Sequence, residues 1–341
     1  MIGFTPIIKD YVKSRLGFRT TTVLAGLLTK IKISLRHMMD ILFFPLIVIS
    51  AIVFRYIRKN SFSGFTVSKL VMLKIGVYPI IDHYYEPLFN KKHLRYSLRV
   101  DRNLPGINMN DNEQLQILSQ FNYCDELLEF PLQKTSNKRE FCYNEGPFRS
   151  GDAEYLYNMI RLFKPRKYIE VGSGSSTLMA INAITRNKLE DKKYDCDITC
   201  IEPFENDWLE SLGVRVIRKK VEEVDRKIFK DLDRNDILFI DSSHIIRPQG
   251  DILFLYLEIL PTLNKGVIVH IHDIFTPRDY LDEWVGENFW NEQYLLEAFL
   301  TNNKEFRIIG ATNYLSHKYR EQFAAKCPVY KMQHGREPGS F

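Results

Sequence analysis

The hydrophobic rhythm of the chain changes near residue 150. Before that point apolar residues fall in long runs and mixed stretches, and after it short apolar runs alternate with helical patterns. A helix is predicted from Asp152 to Phe163, stopped by Pro165. Strands are predicted at Lys167 to Val171, Asp197 to Ile201, Val214 to Ile217, Asp236 to Ile240, Gly266 to Ile271 and Phe306 to Gly310. Helices are expected from about Ser176 to Lys188, near Asp251 to Leu260 and near Asn291 to Thr301. Short apolar strands separated by helices form parallel sheets covered on both faces. The pattern therefore predicts an α/β fold with a doubly wound, mostly parallel sheet over residues 151–341.

Residues 1–75 read as a separate helical arm. Its most apolar run, Ile41 to Phe54, holds fourteen residues without a charge. As a helix this run extends about 21 Å, short of the roughly 30 Å hydrocarbon core of a bilayer. Pro45 predicts a kink within it. Arg36 and His37 flank one side, and Arg55, Arg58 and Lys59 the other. Two readings stay open: a buried core helix, or contact of residues 38–59 with a membrane surface, by interfacial, re-entrant or short spanning insertion. Thr22 to Leu35 predicts a second, weaker amphipathic segment. Residues 76–150 are mixed, carry turn signals and are expected to cover the catalytic domain. Within them Ile80 to Phe89 (IIDHYYEPLF) reads as substrate lining or as an aromatic structural loop.

Charge sharpens the boundary of the arm. The chain has 47 Lys and Arg against 42 Asp and Glu, a net charge of +5. Residues 1–75 hold twelve of the bases and only two acids, Asp10 and Asp40, so the arm carries +10 and the remainder −5. A nucleic-acid binder would not concentrate its charge this way, and no nucleic-acid partner is expected. The five cysteines are scattered and include no CxxC, which argues against a disulfide scaffold or a thiolate zinc site. A reduced cytoplasmic compartment is expected, at the inner face of the cell membrane if the arm meets lipid.

Ligands of parallel sheets bind outside the carboxyl ends of the strands. After the first strand the chain reads Glu170-Val171-Gly172-Ser173-Gly174-Ser175-Ser176-Thr177, a tight turn leading into a helix whose free N–H groups favour an anionic ligand group. Glu202 ends the second strand, where a carboxylate accepts hydrogen bonds from both ribose hydroxyls. Asp241-Ser242-Ser243-His244 follows the fourth strand and His270-Ile271-His272-Asp273 ends the fifth. Carboxylates converging there suit a hard divalent cation, Mg²⁺ foremost. His244 is placed beside it as a base for a hydroxyl proton. The competing reading gives these histidines capping and packing roles. His270 is expected to face away from the site.

Strand, acid, GxG, helix, strand, acid resembles the class I S-adenosylmethionine-dependent methyltransferases over roughly residues 150–315. The resemblance implies a Rossmann-like sheet of seven strands, with Glu170, Gly172, Ser173, Gly174, Thr177 and Glu202 holding S-adenosylmethionine. Asp-x-x-His after strand four and the motif after strand five resemble the metal-dependent sugar O-methyltransferases of macrolide and rhamnosyl type, and the related cephalosporin-hydroxylase-like sequences. That implies metal ligation by Asp241 and Asp273, with His244 as general base. His272 stands where those relatives often place an acid. It is the weaker metal ligand and leaves Mn²⁺ or Fe²⁺ open beside Mg²⁺. The stretches SGDAEYLYNMI, LFIDSSHIIRPQGD, HIHDIFTPRDY and FWNEQYLLEAFL resemble bacterial methyltransferases associated with surface-polysaccharide synthesis. The expected activity is methyl transfer to a sugar hydroxyl of a glycan intermediate. The rivals are a nicotinamide-dependent oxidoreductase and a non-catalytic membrane-attached scaffold. Oligomeric state stays open.

Overall fold

The computed structural model describes residues 18–60, 62–88, 90–137 and 139–341, with the side chains of residues 18–29 and of Ser63 left out. The first seventeen residues of the arm, Asp10 among them, and Phe89 at the end of the aromatic stretch lie outside the described residues. The chain divides into two compact units, Met1–Leu88 and Phe89–Phe341.

In the first unit, helix α1 (Phe18–Lys59) runs without a break through Pro45, so the two predicted apolar segments are one helix. Pro45 lacks the N–H that would bond to the carbonyl four residues earlier, yet the helix continues on both sides of it. Within α1, Lys30–Lys59 is long and apolar enough to cross a membrane, and its most apolar stretch of eighteen residues has no buried member. At about 1.5 Å per residue these 30 residues extend about 45 Å, of which the charge-free run Ile41 to Phe54 makes up about 21 Å. Helix α2 (Thr66–Ile75) stops at Gly76, whose φ of +82° allows its N–H to reach the carbonyl of Leu73. Ile57, Phe62 and Met72 form a small core with Phe54 and Phe65 against it.

In the second unit, helices α3 (Asp111–Ser119), α4 (Cys124–Leu128) and α5 (Asp152–Phe163) precede strand β1 (Lys167–Val171). Then come α6 (Ser175–Glu190), β2 (Asp197–Ile201), β3 (Arg215–Ile217), α7 (Lys227–Lys230), β4 (Ile237–Ile240), α8 (Asp251–Phe254) and β5 (Ile268–Ile271). The order across the sheet is β3-β2-β1-β4-β5, and every pair is parallel. Alternate residues serve two cores, because successive side chains on a strand point to opposite faces. Tyr168, Ile237, Phe239 and Ile268 join Met159, Ile160, Met179 and Ala183 of α5 and α6. Ile169, Val171, Leu238, Ile240 and Ile271 pack against Phe229, Ile252, Leu255 and Ile259. Burial on both faces explains why these strands read as nearly continuous apolar runs. Beyond α8 the helix widens into a π turn, Leu255–Ile259, and tightens into a 3₁₀ turn, Leu260–Thr262.

The sheet has five strands among the described residues, where seven were expected. Phe306 to Gly310 forms no ladder; the carbonyl of Ile308 accepts from the Asn110 side chain and that of Ile309 from the Tyr155 hydroxyl. The place beside β5 is taken by the end of the chain. Phe341 exchanges both backbone hydrogen bonds with Ile271, each 2.8 Å, and Gly339 accepts from the N–H of Ile274. Five short helices complete the unit: α9 (Asp282–Glu287), α10 (Glu292–Leu300), α11 (Thr312–Lys318), α12 (Arg320–Lys326) and α13 (Pro328–Met332).

Candidate active site

The carboxyl ends of the strands are in register. Val171 pairs with both Ile201 and Ile240, and Ile240 with Ile271, so Gly172, Glu202, Asp241 and His272 come one step beyond a common row. Their N–H groups extend the ladder, bonding to Ile201, Ile217, Val171 and Ile240 respectively at 2.8–3.2 Å.

The turn after β1 depends on Gly172, which has φ of +78°; a Cβ there would lie 1.8 Å from the carbonyl oxygen of Asp241. Gly174 is different, since its Cβ would meet only Asn206 Nδ2 at 3.4 Å. Thr177 closes the turn by accepting from Gly174 N–H at 3.0 Å and donating to the Glu170 carboxylate. Glu170 is fully enclosed beneath the turn, and burial pushes its pKa up to about 7 despite hydroxyl donors from Ser176 and Thr177. Glu202 accepts from the N–H groups of Phe204 and Glu205, both at 2.9 Å, and from Ser173 N–H at 3.3 Å. Asn206 Nδ2 donates to Ser173 O at 2.8 Å. The second strand end and the glycine turn are thus stitched together.

Beside this turn, ligand atoms of Asp241, His244 and Asp273 lie within 4.8 Å of one another. His244 Nε2 is 3.2 Å from Asp241 Oδ1 and 3.6 Å from Asp273 Oδ2. His272 joins from below: its Nδ1 is 3.4 Å from Asp241 Oδ1 and 3.5 Å from Asp273 Oδ1. His244 and Asp273 both hold φ near +60°, an uncommon backbone state for residues with a Cβ. The loops after β4 and β5 are therefore bent sharply where they present these groups.

The charges tune one another. Burial opposes a charge on His244, but hydrogen bonds to Asp241 and Glu292 prevail and hold its pKa well above the usual imidazole value. His272 is likewise raised to about 9, burial being outweighed by Asp273 and Asp241. Burial lifts Asp273 to about 6, with Asp241 adding to the shift and the two imidazoles opposing it, while Asp241 is held below the usual carboxylate range by His272 and His244 against its own desolvation. This is a set of two carboxylates and two imidazoles crowded enough to compete for protons. Ser242 Oγ and His272 Nδ1 are buried there without hydrogen-bond partners. Oxygen and imidazole donors with unused capacity fit a divalent cation.

Several groups at the site were not singled out from the sequence. Glu292, fully buried at the start of α10, lies 2.7 Å from His244 Nδ1 through Oε2 and accepts the Tyr256 hydroxyl at 3.1 Å. Trp290 packs on the His244 ring, centroids 4.4 Å apart. Asp251 takes both the N–H and the hydroxyl of Ser243 at 2.8 Å, fixing the loop after β4. Asp152 Oδ2 lies 3.9 Å from His272 Nε2 and 3.5 Å from Arg336. His270 does not turn away as expected: two residues from His272, it shares its side of the strand and packs on Phe239 at 4.8 Å.

Residues 169–274, which span β1 to the loop after β5, match a family model described as a methyltransferase domain. The chain carries a methyltransferase domain. An uncharacterized protein of Archaeoglobus fulgidus is 29% identical to the methyltransferase over 167 residues, covering 46% of this chain and 74% of that protein. A solved structure of a putative protein-L-isoaspartate O-methyltransferase from Plasmodium falciparum, in complex with S-adenosyl-L-homocysteine, is 16% identical. That match covers 48% of this chain and 77% of that one, with a TM-score of 0.26.

Proposed function

We propose that the methyltransferase acts on a hydroxyl oxygen of a sugar, in a glycan or surface-polysaccharide intermediate, with a divalent cation (Mg²⁺ or Mn²⁺) held by Asp241 and Asp273. The observation that carries the reading is the convergence of Asp241, His244 and Asp273 beside the glycine turn. The sugar class rests on the resemblance of the Asp241–His244 and Asp273 motifs to sugar O-methyltransferases.

S-adenosylmethionine supplies the methyl group, and the chain's task is to align it with the acceptor oxygen. The turn at Gly172 to Gly174 gives backbone access, and Glu202 offers its carboxylate to the ribose while holding the loop. Glu170 and Thr177 brace the turn from beneath. A divalent cation supplies positive charge against the developing alkoxide. His244, whose raised pKa keeps it an imidazolium at rest, must first give up its Nε2 proton. Its neutral form then takes the hydroxyl proton at Nε2, and Glu292 steadies the imidazolium at Nδ1. Trp290 covers the imidazole and limits water. His272 is a further nitrogen donor to the cation. A second reading makes His244 itself a ligand, because its Nε2 belongs to the same cluster; its outer nitrogen would then be oriented by a carboxylate, as metal-bound histidines usually are. We read α1 as the part that meets the inner face of the cell membrane, on its apolar length and basic flanks.

The test is to incubate the full-length enzyme with methyl-labelled S-adenosylmethionine and glycan precursors, with and without chelator. Label recovered as an O-methyl sugar only when Mg²⁺ or Mn²⁺ is present supports the reading. Label on protein or on nitrogen, or transfer unaffected by chelator, rejects it.

A further inference from the structure

Helix α2 has two apolar faces, and only one is covered. Met72 packs into the small core with Ile57 and Phe62. On the other side Val67, Leu70 and Val71 stand at i, i+3 and i+4, flanked by Leu73 and Ile75, and all five are exposed, Val67 by 76% and Ile75 by 70%. An apolar stripe on a surface helix ordinarily faces something that covers it, and contiguous apolar patches mark contact surfaces. The only charges in α2 are Lys69 and Lys74. The segment that follows exposes Tyr84 and Tyr85, whose rings lie 4.0 Å apart.

This region is fixed to the carboxyl-terminal end of α1. Arg58 donates from Nε to Glu86 at 2.6 Å and from Nη1 to the Tyr78 hydroxyl at 2.8 Å. The Tyr78 ring stacks on Phe62 at 4.8 Å. The open stripe of α2 therefore lies where the exposed apolar length of α1 ends in Arg55, Arg58 and Lys59.

We propose that α2 lies in the headgroup interface of the same anionic bilayer that α1 enters. Its stripe meets the acyl chains. Lys74, which stands on that stripe at i+4 from Leu70, extends its ammonium up to the lipid phosphates. Lys69 adds positive charge, and Tyr84 and Tyr85 sit at the interfacial level. The proposal rests on reading α1 as membrane-contacting. Charge selects the occupant: from residue 53 to residue 76 the chain has no acid and five bases, of which Arg58 is paired with Glu86. The others complement anionic lipid and would repel a second copy. An apolar stripe and a basic flank are the two signals that bind an interfacial helix, and tyrosine is enriched at that depth.

The test uses the full chain with Cys124→Ser, reconstituted into phosphatidylcholine vesicles with or without phosphatidylglycerol. Leu70→Cys, Ile75→Cys and Lys331→Cys are each labelled with an environment-sensitive fluorophore. The expected result is flotation with vesicles, with the labels at 70 and 75 blue-shifted and quenched by shallow spin-labelled lipids, and the label at 331 quenched by aqueous iodide. Lys69→Glu with Lys74→Glu should reduce the gain in lipid quenching given by phosphatidylglycerol at least twofold. Flotation with iodide-accessible labels at 70 and 75 overturns the proposal and leaves the reading of α1 standing. Loss of flotation overturns both. Labels shielded from iodide and from lipid quencher alike show a second copy on the stripe, and also overturn it.

Discussion

His244 and Glu292 hold one another twice. The backbone carbonyl of His244 accepts the N–H of Glu292 at 3.2 Å, while His244 Nδ1 lies 2.7 Å from Glu292 Oε2. The loop after β4 thus caps the start of α10, and the first residue of α10 returns to orient the imidazole. Asn291 strengthens the joint, its N–H also bonding to the His244 carbonyl at 3.0 Å and its side chain accepting from Ile246 N–H at 2.7 Å. Nε2 is left to face Asp241 and Asp273.

Glu292→Gln keeps the shape but removes the charge that steadies an imidazolium. We expect kcat to fall about 10–100-fold, the usual cost of losing a carboxylate behind a functional histidine, with S-adenosylmethionine affinity unchanged. Steady-state kinetics across pH, paired with calorimetric titration, checks both halves. An unaltered kcat would remove Glu292 from the machinery.

His244→Ala should lower turnover by about 10²–10⁴-fold if Nε2 is the base. Calorimetric titration of Mn²⁺ then separates the two roles: affinity kept within twofold supports the base, and a loss of tenfold or more supports a ligand.

Asp241→Asn and Asp273→Asn should each abolish Mn²⁺ binding and methyl transfer while the protein remains folded by circular dichroism. Retention of metal-dependent activity in both variants would reject the cation site.

Glu202→Ala should weaken S-adenosylmethionine binding by about 1–3 kcal/mol, the range for a lost charge-assisted bond. Gly174→Leu should block it, since the space above that residue is bounded on the protein side only by Asn206. Wild-type affinity in both variants would move the donor site elsewhere.

His270 gives a pH signature. Burial, helped by the charge on His272, pushes its pKa down to about 3, below the ordinary value of 6.5. A depressed imidazole contributes stability that is whole above pH 6.5 and is lost as pH falls toward 3, by at most about 1.4 kcal/mol per unit. Glu170, raised to about 7, works in the opposite sense, weakening the fold as pH rises from about 4.5 through 7. The readout is therefore the difference between wild type and His270→Leu in urea melts at pH 7.5 and 5. The variant should lose less stability on acidification, and identical pH slopes would exclude the assignment.

Much of this was legible because the strand ends are set by local pattern. Gly172, Glu202, Asp241 and His272 each end a short apolar run, and parallel pairing brings such ends to one edge. Glu292 was not legible in the same way. It stands 48 residues from His244, and its helix shows only that a charge falls on a buried face. The FRIIG segment has strand composition, yet the edge it would need is held by Phe341, a pairing across some seventy residues that no local pattern encodes. Helix α1 continues through the charged residues between the two apolar segments, so their union in one helix was not legible from the apolar runs alone.

The π turn at Leu255–Ile259 can be viewed as an extra residue lodged in a helix. Ile252 and Phe254 before it, Ile259 at its end and Leu260 after it are all buried, and Tyr256 within it points its hydroxyl at Glu292. Losing one codon here would restore even winding and turn everything downstream by about 100°, swinging one buried set out of the core. Neutral drift in gene length is therefore closed at this point of the chain, and the constraint reaches the imidazole only through a phenol and a carboxylate.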